Sequence, residues 1–208
     1  MIQIGGMDLG PFEGALNELE EALSLLDEKR EELLKAGREV IRLSSKSILL
    51  SISGKDGEEP LKKARELLSR VKEGCPPKLA HLLTQAESEL VEAEVVLSVV
   101  KEGRIPSFLE LGADPDAYLL GILDALGELR RMFYDLLGKG DERAFEVFEA
   151  MDRLYSHLLP LSGYGHVAQG ARRKLDSVRY AVEGARAAVA EELRRRAMIE
   201  ELKGLRNE

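Results

Sequence analysis

An all-α architecture of six to seven helices is what this sequence predicts. Apolar residues recur at three- and four-residue spacing along almost the whole chain, and no segment alternates with the period of two that a half-buried strand needs. Charged residues make up 33% and aromatics 5%, with no Trp, and Leu, Ala, Glu, Lys and Arg dominate, as in long helices.

The first helix is expected over about residues 12–53, with Leu16, Leu19, Leu23 and Leu26 marking its apolar stripe. Gly54 to Glu59 breaks it, and Pro60 suits the first position of a second helix reaching about Val71. Gly74-Cys75-Pro76-Pro77 reads as a turn. A third long helix is expected from Lys78 to Lys101, closed by Gly103, and one short helical turn between Ile105 and Leu111. Asp114-Pro115 opens the next helix, which ends near Gly138. Asp141 then caps a helix to Leu159, Pro160 to Gly165 reads as a loop, and the last helix is expected from His166 to Leu202. The two longest helices exceed the mean of roughly 11 residues several-fold. Their stripes outrun one small core, so partner helices from other copies of the chain are expected to cover them.

A chain of 208 residues fits one domain spanning residues 1–208, with residues 1–10 as a flexible lead that lacks the basic start of a signal peptide. The longest apolar runs, Val95–Val100 and Tyr118–Leu123, fall far short of the ~18 residues needed to span a bilayer. A cytoplasmic protein without membrane contact is expected. Cys75 is the one cysteine, which excludes an internal disulfide and a thiolate metal site. The net charge of −8 repels nucleic acid at long range, so any RNA binding must rest on local basic clusters.

Carboxylates carry the chemistry. Glu89 and Glu92 stand three apart, and Asp124 and Glu128 four apart, so each pair shares one face of its helix. Brought together, four such charges need protonation or a cation between them. Oxygen-only ligands suit Mg²⁺ or Mn²⁺. On the later helix Ala117, Gly121, Asp124, Glu128, Arg131 and Asp135 fall within about 80° of arc at ~100° per residue. The small Ala117 and Gly121 are expected to leave space beside Asp124 for a substrate. Acids at these spacings are common in helices, and Glu128 is also placed to pair simply with Arg131. Glu87 and Glu94 fall on another side of the third helix and are expected to be without consequence.

Basic clusters stand at Arg130-Arg131, at Arg172-Arg173-Lys174 and at Arg194-Arg195-Arg196, each equally readable as a solvated helix face. His81, His157 and His166 are scattered without metal-ligand spacing. No phosphate-cradling glycine loop, serine elbow or Cys–His pair occurs.

Asp116–Met132 closely resembles the corresponding helix of the translin/TRAX family on its TRAX side, and Glu89-Leu90-Val91-Glu92-Ala93 resembles that family's EYVEA segment. Arg30–Lys35 with Arg38–Ile41, Phe145–Val147 and Ala171–Tyr180 resemble further segments of the same family in the same order. The resemblance implies a seven-helix, translin-like bundle that assembles into a closed shell around RNA, here from one subunit type in eight copies. It also implies that Glu89, Glu92, Asp124 and Glu128 are the catalytic, metal-holding acids of a Mg²⁺-dependent endoribonuclease acting on single-stranded RNA or single-stranded parts of structured RNA. Arg130, Arg131, Arg172, Arg173 and Lys174 are then expected to contact the RNA backbone. Two rivals use the same residues differently. An all-α nucleoside triphosphate pyrophosphatase also pairs ExxE with later acids, and a translin-like shell binds RNA without cutting it.

Overall fold

The computed structural model describes residues 10–166 and 168–205. Among them seven α-helices and two 3₁₀ segments follow one another without a strand. In order these are α1 (Gly10–Ile52), α2 (Glu58–Glu73), a 3₁₀ segment (Pro77–Leu83), α3 (Thr84–Glu102), α4 (Phe108–Leu111), α5 (Pro115–Gly138), α6 (Arg143–Leu158), a second 3₁₀ segment (Leu159–Tyr164) and α7 (Ala171–Leu205). The all-α expectation holds. Nine of the ten residues of the expected flexible lead lie outside the described residues, and Gly10 already belongs to α1.

Several boundaries differ from expectation. Pro76 is extended and Pro77 opens a 3₁₀ turn, which buries Leu79 and Leu83 before the α-helical winding begins at Thr84. The expected loop after Pro160 is wound as 3₁₀ helix. Gly170 sits at φ 92°, in the left-handed region no right-handed helix accommodates, so α7 starts at Ala171 instead of His166. Pro60 stands third in α2, which already begins at Glu58, and not first as expected. Ser107 and Glu110 close a reciprocal capping box on α4, and Asp141 Oδ1 accepts from the Arg143 backbone N–H at 3.0 Å to start α6.

One continuous apolar core runs through the bundle. α3 lies at its centre, packed on α1, α2 and α5, and α5 in turn packs on α6 and α7. Accordingly α3 buries residues on every side, among them Ala86, Leu90, Val91, Ala93, Val95 and Val96. α1 has 43 residues and α7 has 35, so at ~1.5 Å per residue each outruns this core. Phe12, Leu16, Leu19 and Leu23 near the start of α1 are exposed, as are Met198, Leu202 and Leu205 at the end of α7. No described helix is long and apolar enough to cross a membrane.

Candidate active site

The close approach of α3 and α5 depends on Gly121. A Cβ there would stand 2.5 Å from the Ser88 backbone oxygen and 2.7 Å from the Val91 Cβ. The space expected beside Asp124 is therefore not a pocket. Ala117 and Gly121 are buried, and their smallness is what lets α3 come in. Glu89 and Glu92 on α3 are thereby brought into electrostatic range of Asp124 and Glu128 on α5.

The four acids perturb one another. Burial pushes the Glu89 carboxyl up, Asp124 adds to the rise, and the Lys174 ammonium opposes it. Glu92 is only 9% exposed and is pushed up to about 8, first by burial and then by Glu89, Asp124 and Glu128. At neutral pH and without a cation, Glu92 therefore keeps its proton. Two basic side chains enter the cluster. Lys174, half-buried on α7, ion-pairs with Asp124. Arg131 Nη2 stands 3.0 Å from Glu128 Oε2 but off hydrogen-bond alignment, so this buried oxygen has no hydrogen-bond partner.

Among the described residues no three His, Cys, Asp or Glu side chains stand in an arrangement that could hold a metal ion. In chemical kind the cluster nevertheless fits a hard divalent cation. Its donors are all oxygens, one is buried without a hydrogen bond, and one acid is pushed up by burial and then by the other three. In position, two of the acids are held by Lys174 and Arg131.

The other sequence-nominated residues divide. Arg130 is exposed and lies over the Tyr134 ring at 5.7 Å, and Arg172 and Arg173 are exposed on α7. Arg194, Arg195 and Arg196 are engaged by Glu191, Glu192 and Glu142, a solvated ion-pair network. His157 Nδ1 is bonded to the Arg153 carbonyl oxygen at 2.7 Å, and His81 and His166 are exposed. A cleft of about 490 Å³ bounded by α2 and α3, lined by Arg65, Glu94, Lys101 and Arg104, lies apart from the four acids.

Two features escaped the sequence reading. Lys174 reads in the sequence as part of one basic run with the outward Arg172 and Arg173, yet it stands three residues after the buried Ala171 and four before the buried Val178, which turns it inward. Glu87 is not inconsequential. It is 4% exposed, takes a 2.8 Å bond from Lys72 and accepts the Asp114 backbone N–H at 3.0 Å, tying α3 to α2 and to the start of α5. Glu94 is likewise engaged, by Arg65 at 2.5 Å.

Residues 78–189, which carry all four acids and Lys174, match the Translin family. The chain is 34% identical over 176 residues to an uncharacterized protein of Methanocaldococcus jannaschii, covering 81% of this chain and 78% of that one. Solved structures are similar as well. AfC3PO in complex with duplex RNA matches at 35% identity and a TM-score of 0.79, over 87% of this chain and 98% of that chain. The crystal structure of AfC3PO matches at 36% identity and the same TM-score of 0.79, over 87% and 98%. Apo-NeC3PO matches at 28% identity with a TM-score of 0.74, over 89% and 98%.

Proposed function

The chain belongs to the Translin family, and on that footing we propose that it is a divalent-cation-dependent endoribonuclease of the TRAX-like kind, working inside a shell built from copies of itself. The observation that carries this reading is the meeting of Glu89 and Glu92 with Asp124 and Glu128 across the α3–α5 contact. That AfC3PO is solved with duplex RNA supports RNA as the ligand class.

In this reading the four carboxylates hold Mg²⁺, or Mn²⁺ in its place. The ion would supply positive charge beside the scissile phosphate and a more acidic water. Glu92, kept protonated first by burial and then by Glu89, Asp124 and Glu128, would have to give up its proton to serve as a ligand. Arg131, on the acidic face of α5, steadies the phosphate being attacked. The exposed Arg130, Arg172 and Arg173 follow the neighbouring backbone of the strand. The exposed stripes of α1 and α7 are the surfaces through which copies assemble, eight to a shell.

The test is incubation of the purified protein with end-labelled single-stranded RNA, in Mg²⁺ and in chelator, alongside a light-scattering mass. Cleavage in Mg²⁺ alone by a particle of eight chains is expected. Uncut RNA in Mg²⁺ would refute the enzyme, and a single-chain mass at micromolar concentration would refute the shell. A second reading has one observation in its favour. Lys174 and Arg131 already partner Asp124 and Glu128, as suits a shell that binds RNA without cutting it. It predicts RNA binding with no cleavage at any Mg²⁺ concentration.

A further inference from the structure

Within the bundle Lys174 is the cation that reaches furthest into the acid cluster. It comes from α7, whereas the acids come from α3 and α5, so its presence there is not a within-helix pairing of neighbours. Its ammonium sits on Asp124, and its charge is also felt at Glu89 and Glu92. The side chains of Lys174 and Asp124 are each about one-third exposed, at 31% and 32%. The pair thus lies at the boundary between the buried acids and the outer surface of α7, where Arg172 and Arg173 point to solvent. A lysine here has two places to go. Inward, it meets a carboxylate that a metal site needs. Outward, a flexible four-carbon stem brings it level with two arginines on a surface suited to phosphate.

We propose that Lys174 is a tethered counter-ion of the acid cluster, which holds Asp124 while no divalent cation is present and yields it when one binds, its freed ammonium then contacting the phosphate backbone of the RNA. This rests on the metal-dependent nuclease reading of the same acids. Lys174 is thereby a positioning residue. It sets how tightly the acids take the cation, and it links cation binding to RNA binding because one ammonium cannot serve both partners at once.

The test uses the full chain and a calorimetric Mn²⁺ titration of the wild type, Lys174→Met, Lys174→Arg and Asp124→Asn. Lys174→Met removes the competing charge at similar length, so Mn²⁺ affinity should tighten about tenfold or more, a figure kept low because the pair is partly solvated. Lys174→Arg keeps the charge and should stay near wild type. Asp124→Asn should weaken Mn²⁺ binding, which locates the ion. Affinity for RNA is then measured on ice by fluorescence anisotropy with a phosphorothioate-substituted strand. Lys174→Met should weaken RNA binding in Mn²⁺ and leave it unchanged in chelator, where the lysine is engaged with Asp124. Equal Mn²⁺ affinity in wild type and Lys174→Met, or equal loss of RNA affinity with and without metal, overturns the inference alone. Absence of Mn²⁺ binding in the wild type and in every variant overturns both the inference and the metal-nuclease reading. Binding by Lys174→Met but not by wild type upholds the inference in its strongest form.

Discussion

Gly121 meets Ser88 where a methyl group has no room, its absent Cβ falling 2.5 Å from the Ser88 carbonyl oxygen. Every distance between the acids of α3 and those of α5 depends on that contact. Gly121→Ala should therefore push the helices apart and cost about 1–3 kcal/mol of stability. Gly127→Ala, with nothing within 4 Å of the added carbon, should leave stability equal or raise it by about 0.5–1 kcal/mol. Urea denaturation of the two variants side by side checks this. An unchanged midpoint for Gly121→Ala would show that the helices are not in backbone contact.

Asp124→Asn and Glu89→Gln each remove ligand charge with little change of volume. Each should lower the rate of Mg²⁺-dependent RNA cleavage by roughly a hundredfold or more while the circular dichroism spectrum stays that of the wild type. Glu87→Gln should behave oppositely. It weakens the buried bonds to Lys72 and to the Asp114 N–H, so the thermal midpoint falls while the folded protein keeps its turnover. Full cleavage by both Asp124→Asn and Glu89→Gln would remove these acids from the site.

Glu92 makes stability depend on pH when no divalent ion is present. Its folded pKa is raised from 4.5 to about 8, so the native state binds more protons than the unfolded chain between those values. The sign follows. Stability is full below about 4.5 and declines as pH rises toward 8, by a few kcal/mol in order of magnitude. Glu92→Gln should flatten that slope, and Mg²⁺ should flatten it in the wild type. A wild-type denaturation midpoint that is constant from pH 5 to pH 8 in chelator contradicts the placement of Glu92.

Product ends report the attacking group. No histidine among the described residues stands with the acids, and His157 is tied to a backbone oxygen, so attack by the 2′-hydroxyl lacks its usual acid–base pair. Water attack with departure of the ribose 3′-oxygen leaves a 5′-phosphate and a 3′-hydroxyl. Mass spectrometry of short products distinguishes these from a 2′,3′-cyclic phosphate, whose appearance would refute the hydrolytic route.

Much of this arrangement is legible in the sequence because helix periodicity alone places Glu89 with Glu92 and Asp124 with Glu128. Periodicity says nothing about the distance between two helices. That distance is set by Gly121 against Ser88, so the glycine that reads as room for a substrate is filled by a neighbouring backbone. Lys174 shows the same limit. Its run of three basic residues suggests one outward patch, and its place on the Ala171–Val178 face separates it from Arg172 and Arg173 once α7 packs on α5. The start of α7 depends on the left-handed Gly170, a conformation that no apolar pattern reports.

Phe12, Leu16, Leu19 and Leu23 lie in water on a helix that continues, residue by residue, into the core. In the proposed shell a second copy of the chain covers that stripe, stabilises the native state by mass action and is lost on dilution. The melting temperature of this protein should thus be a property of the solution as much as of the fold, rising with each step in protein concentration. A single quoted value would describe one concentration only.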